Sequence, residues 1–525
     1  ARHPVAPHGG HGGRGELPEP RVLRSAGGAL AVTLTAVPAV VDMGAPAPVS
    51  TYTFDHVVPG HTWEVRPGDT LSVDLINRLP ALHHHGPLRL DRPHEWTTTN
   101  LHTHGLHVSP AGDADNVFLA IPPGERHRFR YTIPADHPSG CFWYHPHRHG
   151  SATQQVRGGM AGMIIVRGEL DRVPEIGAAK ERVMVLQSIE LGDDFQLLDP
   201  IPLPSATEAF FPRTKVLYTV NGVLTPRITM YPGEVQRWRL LNAAEGKYLS
   251  LRLAGHRLHI LAWDGLTLPA PESVPLVMLS AGNRVEVLVK AGAPGVYDLV
   301  LTPGSSQKPN IPGMPDAPPA SDSGDTGGTA GMSGMVGMAG MADMGEEGHP
   351  GLPVIPGELE TRPIATIEVS GTGREMALPA ALPAWNPPIL PIARRRTLAF
   401  TVARAPDNEF LSFGVDGLSF DPQRAPYRAR LDTAEEWTLI NGVDTRLADH
   451  AHVFHIHVNP FKITRINGVA LATPLWRDTF VLTRSTGDSL TFETNFVDFT
   501  GKFVAHCHVL SHEDLGMMSS VEVVS

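Results

Sequence analysis

Seven His-x-His patterns occur in a chain with 27 histidines among 525 residues, where chance supplies about one. Four of them form two matching sets, His102/His104 with His145/His147 early in the chain and His455/His457 with His506/His508 near its end. On an extended strand residues i and i+2 face the same side, so each pair aims two imidazoles at one spot. Imidazole suits copper, iron, nickel and zinc, and eight such ligands are too many for one ion. The pattern therefore predicts a cluster of two or three metal ions between the first and last parts of the chain. An isolated histidine is usually a core or surface residue, but that reading does not explain two sets in register.

The segment His506-Cys507-His508-Val509-Leu510-Ser511-His512-Glu513-Asp514-Leu515-Gly516-Met517 names the metal. A thiolate, two imidazoles and a weak axial thioether are the ligands of a blue copper site, and Cys507, His512 and Met517 supply three of them. His452, three residues before His455 and out of register with the His455/His457 pair, supplies the fourth. Because Cys507 points to the strand face opposite His506 and His508, one short stretch of backbone can join the blue copper to the cluster.

Leu101-His-Thr-His-Gly105, Trp143-Tyr-His-Pro-His147, His452-Val-Phe-His-Ile-His457 and His506-Cys-His508 with His512 and Met517 resemble the four copper signatures of multicopper oxidases, most closely those of bacterial three-domain laccases and cuprous oxidases. The resemblance implies three cupredoxin-like Greek-key sandwiches and four copper ions. It implies that His102 and His455 hold a type 2 copper, that His104, His145, His147, His457, His506 and His508 hold a type 3 pair, and that His452, Cys507 and His512, with Met517 axial, hold a type 1 copper.

The elements that must position these residues recur three times. A turn followed by an alternating strand appears at Arg66-Pro67-Gly68-Asp69 to Asn77, at Tyr231-Pro232-Gly233-Glu234 to Asn242, and at Asp432-Thr433-Ala434-Glu435 to Asn441. A second strand recurs at Gly140–Tyr144, Gly295–Leu299 and Gly501–Ala505. This predicts an all-β protein with a flexible His/Gly-rich leader (1–19), sandwiches at 20–168, 180–303 and 360–525, and a Met/Gly/Pro-rich linker (304–358). Aligning Gly140 with Gly501 sets Pro146 opposite Cys507 and Thr99 opposite His452. The first domain thus keeps half of the cluster without a blue copper, and the second, with Tyr297–Leu301 at the matching place, has neither and spaces the outer two.

Reducing dioxygen to water takes four protons, so acids beside the cluster are needed as relays. Glu513, directly after a ligand, resembles the relay acid of cuprous oxidases; Asp115, eleven residues after His104, matches the acid that laccases place near type 2 copper. A thioether axial ligand implies a low or middling potential. Met332, Met335, Met338, Met341 and Met344, with Met314 upstream, recur in Gly/Ala-rich sequence, and soft thioethers select Cu(I). Cuprous oxidases carry Met-rich segments inside the third domain, whereas this one precedes it. His83–His85 and the leader's His3, His8 and His11 read as surface loop residues, and His107, His149, His256 and His259 as core or surface polar groups. Cys141 reads as a buried inert thiol.

The net charge of −11, from 43 basic and 54 acidic residues, carries no footprint for nucleic acid or an anionic membrane. The apolar stretch Ala29 to Val41 is too short to span a bilayer, and two cysteines exclude a disulfide framework. Cysteine usage does not fix the compartment; the polar, Gly/His/Pro-rich residues after Ala1 read as a mature N-terminus, so the expectation is an exported protein, periplasmic or extracellular, with its signal peptide already removed, and a monomer. The reading is a laccase-like oxidase of phenols and aromatic amines that reduces dioxygen, with cuprous oxidation as the alternative and copper storage or resistance as the non-enzyme rival.

Overall fold

The structure, a computed structural model, describes residues 15–81, 89–198, 213–303, 360–388, 390–404, 411–443, 451–482 and 486–525. Its class is all-β as expected, with six sheets among the described residues that face one another in pairs as three sandwiches. The predicted repeat strands form at Thr70–Asn77, Val235–Asn242 and Thr433–Asn441. Each lies inside its sheet, paired parallel with one neighbour and antiparallel with the other.

Each of these strands closes on an asparagine, and the first two do so for the same reason. Asn77 donates to the carbonyls of Thr97 and Ile121 and accepts from the Leu79 amide, and Asn242 makes the matching bonds to Lys247, Leu279 and Ala244. A short amide side chain thus satisfies buried backbone groups where the strand leaves the sheet. Trp238 and Trp437 occupy equivalent core positions and donate their indole N–H to Gln236 and Glu435, which lets a large ring be buried without an orphaned donor.

The second sheet of each sandwich carries the positions that matter for chemistry. In the first, His102–His104 pairs antiparallel with Gly140–His145, and in the third, His452–Ile456 pairs antiparallel with Gly501–Cys507. The equivalent pair in the second sandwich is Leu249–Leu253 with Gly295–Pro303, which holds no histidine, cysteine or methionine.

Two expected boundaries differ from the structure. Glu16 and Leu17, assigned to the flexible leader, belong to the second sandwich: Glu16 bridges Arg227, and Leu17 is buried in that core. Arg362–Val369, assigned to the third domain, completes a sheet of the second sandwich between Gly295–Pro303 and Arg227–Met230. Burial of Ile364, Ile367 and Val369 in the second core drives that choice, and an alternating strand looks the same in sequence whichever sandwich it joins. His3, His8, His11, His83–His85, Met314, Met332, Met335, Met338, Met341 and Met344 lie outside the described residues. Among the described residues no helix is long and apolar enough to cross a membrane.

Candidate metal centre

The strand pairs place the histidines in two layers that meet between the first and third sandwiches. His102 stands opposite His145, and His455 opposite His506. The ring of His102 stacks on His457, and that of His104 on His455, each with centroids 3.8 Å apart. All eight rings are buried. Burial, with the neighbouring imidazoles adding to it, holds His104, His145, His455, His457 and His508 well below the ordinary histidine range. Burial takes His147 and His506 down to about 3. Those seven rings are therefore neutral, and each keeps a lone pair for a cation.

Which nitrogen carries that lone pair follows from what the other one faces. A carbonyl oxygen only accepts, so Nδ1 of His455, 2.7 Å from the Asp478 carbonyl, and Nδ1 of His145, 2.9 Å from that of Pro146, must be donors. Their Nε2 atoms are bare, buried and without a hydrogen-bond partner, as are Nε2 of His102, Nδ1 of His104 and Nε2 of His508. The Nε2 atoms of His147, His457 and His506 lie within 3.1 to 3.4 Å of one another. Three imidazole nitrogens converging so closely fit a shared cation. The donor set thus fits metal ions in more than one group, among them His147, His457 and His506 as a trio.

On the far side of the Gly501–Cys507 strand lies a second group. Cys507 Sγ is 3.7 Å from Nδ1 of His452 and 3.5 Å from Nδ1 of His512, and those two nitrogens are 3.2 Å apart. Burial pushes the Cys507 thiol up to about 12, so ionisation there needs a cation. Met517 is buried beside it; its carbonyl accepts from the Cys507 amide, and its own amide donates to the His512 carbonyl. Two imidazoles and a sulfur with a thioether nearby fit copper by ligand softness.

Three multicopper oxidase family models match residues 38–171, 198–315 and 391–525. The chain belongs to the multicopper oxidase family. It is an oxidoreductase with dioxygen as electron acceptor, and its three sandwiches are cupredoxin-like. It is similar to a multicopper oxidase of Staphylococcus haemolyticus, 21% identical over 468 residues that make up 89% of this chain and 82% of that protein. In fold it resembles a multicopper oxidase from Campylobacter jejuni described as a metallo-oxidase (TM-score 0.69, 22% identity, covering 97% of this chain and 96% of that one). It also resembles a laccase-like oxidase from Ochrobactrum sp. with activity towards lignin model compounds (TM-score 0.68, 22% identity, covering 97% and 100%).

Within this multicopper oxidase the two expected acids stand on different terms. Asp115 lies behind His102, and its carboxylate also accepts from the Thr103 amide and hydroxyl. Burial alone would raise its pKa, but His102 and the Thr103 bonds outweigh burial and lower it. Glu513 is fully buried, with its two oxygens 3.3 and 3.0 Å from Nδ1 of His147 and His506. Burial pushes it up to about 7 against the pull of His147, with Glu245 adding to the rise. The two carboxyls are thus shifted in opposite directions, Asp115 by its bonded partners and Glu513 by burial.

His107 joins the first sandwich to the third, through the Val458 carbonyl and the Asp498 carboxylate. Cys141 is buried 3.3 Å from both Glu286 and Arg239, and burial drives its pKa far up. Where the third domain builds its sulfur site, the first has Thr99 donating to Gln155. Sequence reasoning missed Asp478 and Thr479, which contact His104 and His455. Neither sits in a motif; the one local signal is Gly105 directly after His104.

Proposed function

We propose that this chain is a laccase-like multicopper oxidase that takes single electrons from phenols and aromatic amines and delivers four of them, with four protons, to one dioxygen to give two waters. Copper, when bound, supplies the one-electron redox chemistry at the sulfur site and the dioxygen reduction at the histidine cluster. Four ions are proposed: one would be held by His452, Cys507, His512 and Met517, one by His102 and His455, and a pair by His104, His145, His147, His457, His506 and His508. The observation that carries the reading is that Cys507, at the end of the strand Gly501–Cys507, puts its sulfur in one donor group while its neighbour His506 belongs to another.

The chain's own residues orient the ligands and move protons. Asp115, the Pro146 carbonyl and the Asp478 carbonyl hold one ring nitrogen each of His102, His145 and His455 as donors, so the opposite nitrogens bind. Glu513, behind His147 and His506, relays protons as a general acid. Burial of every ligand excludes water from side reactions.

Cuprous ion is the second reading, favoured by the three-residue spacing of Met332, Met335, Met338, Met341 and Met344. The Campylobacter relative's description as a metallo-oxidase lends it support, and the Ochrobactrum relative's activity towards lignin model compounds supports the phenol reading. Oxygen uptake by copper-loaded protein, with Cu(I) and separately with a methoxyphenol, tests both, each repeated after deleting residues 314–344. Uptake with the phenol that survives the deletion supports the laccase reading. Selective loss of Cu(I) turnover supports a cuprous oxidase fed by the methionines, and no uptake with either donor overturns both.

A further inference from the structure

The second sandwich offers no copper ligand, yet the turn Ser280–Arg284 reaches the cluster. Gly282, at φ +87°, lies against His104 and His508; a Cβ there would stand 3.0 Å from Cε1 of His104 and 3.1 Å from that of His508. Two residues on, the fully buried Arg284 touches all three sandwiches. Its Nε donates to the Cys141 carbonyl of the first at 3.0 Å, and its Nη1 and Nη2 to the Gly282 and Asp264 carbonyls of the second. Both terminal nitrogens also form a bidentate pair with Asp478 of the third, at 2.8 and 2.6 Å. Asn283 adds a bond to the Thr479 carbonyl at 2.9 Å.

From Asp478 the connection runs to two ligand histidines. The Thr479 hydroxyl donates its one hydrogen to Asp478 Oδ1 at 2.9 Å, so towards Nε2 of His104, 3.0 Å away, it can only accept. That holds the His104 proton on Nε2 and leaves Nδ1 bare towards the cluster. The Asp478 carbonyl does the converse for His455, holding its proton on Nδ1 and leaving Nε2 bare. Gly105, at φ +85°, is part of the same construction, because a Cβ there would collide with Arg284 Nη2 and Asp478 Oδ2.

We infer that Arg284 of the second domain is a positioning residue for the dioxygen-reducing cluster, acting through Asp478 and Thr479 to set which nitrogens of His104 and His455 face the metal. The inference rests on reading the eight histidines as a copper cluster. It makes the second domain a working part of the site, because a guanidinium fixed at one point by groups from all three sandwiches locks Asp478, whose carboxylate fixes the Thr479 hydroxyl at His104 and whose backbone carbonyl holds His455.

The test uses copper-loaded full-length protein, read by copper per chain, the type 2 electron paramagnetic resonance signal and the blue absorption. Arg284→Met and Asp478→Asn remove the pair, and Thr479→Val removes the hydroxyl while leaving the pair intact. Each is expected to weaken copper retention at the cluster by about ten- to a hundredfold and to change the type 2 signal, with the blue absorption kept because His452, Cys507 and His512 are untouched. Arg284→Met combined with Asp478→Asn should cost less than the two losses multiplied. If Arg284→Met fails to fold, Thr479→Val carries the test. Unchanged cluster copper and an unchanged type 2 signal in variants that merely melt at lower temperature would overturn the inference. Absence of copper from the unmodified protein would instead sink the functional reading beneath it.

Discussion

Asp115 holds His102 from behind: its Oδ2 lies 2.9 Å from Nδ1 of the ring, while Oδ1 accepts from the Thr103 amide at 2.8 Å. A carboxylate kept ionised by those bonds cannot readily give up a proton, so its part is to fix the ring and raise its basicity. Asp115→Asn presents an amide N–H₂ or a weaker acceptor to His102. The expected outcome is a loss of about ten- to a hundredfold in copper affinity or turnover, read by copper per chain and oxygen uptake. Full copper with full turnover would show that the acid is a bystander.

Cys507 faces Phe454 in the pairing of their strands, one step from the His455–His506 pair. Its sulfur is thus the shortest covalent link between the two donor groups. Cys507→Ser keeps the volume and removes the soft ligand. Blue colour and turnover should both vanish while the eight-histidine group still takes up copper, as judged by absorption, oxygen uptake and metal analysis. Persistent turnover in the Ser variant would break the electron path.

Most of this site was legible in the sequence because a strand has a period of two. Four His-x-His pairs needed only extended backbone to converge, and the three turn-and-strand repeats said that the backbone was extended. Arg284, Asp478 and Thr479 were not legible. Their bonds join residues 194 and 375 positions apart, and no local spacing marks a contact made only when three sandwiches assemble. The allegiance of Arg362–Val369 was hidden for a related reason, since its alternation fits either neighbouring core.

Glu513 carries the third prediction. It is fully buried, and neither of its oxygens has an aligned hydrogen-bond donor, although Nδ1 of His147 and of His506 lie 3.3 and 3.0 Å away. A buried carboxyl left so is costly, and proton transfer would account for its retention. Glu513→Gln preserves shape and removes the exchangeable acid. Turnover should fall by about a hundredfold or more with copper content and blue absorption unchanged, measured by steady-state oxygen uptake and metal analysis. Equal rates in the two proteins would assign proton delivery elsewhere.

A last prediction concerns stability against acid, and it rests on a histidine outside the metal groups. His137 is buried with Nε2 accepting from the His107 amide at 3.0 Å and Nδ1 donating to the Pro138 carbonyl at 2.8 Å. Its ring edge packs on Phe142. Burial takes its pKa down to about 3, with the Pro138 bond opposing and His107 adding to the fall. The unfolded chain holds this proton below its ordinary pKa of about 6.5, and the folded chain does not until about 3. Between those values unfolding takes up a proton, so the stability from neutral His137 is fully present above about 6.5 and is lost as pH falls towards 3. Its size is on the order of a few kcal/mol. His137→Gln keeps an acceptor for the His107 amide and has nothing to titrate, so its denaturation midpoint should fall less steeply than that of the parent between pH 6.5 and 4. Urea unfolding of the two copper-free proteins across that range gives the comparison. Identical slopes would mean that His137 is protonated in the folded chain and that the bond from His107 does not hold.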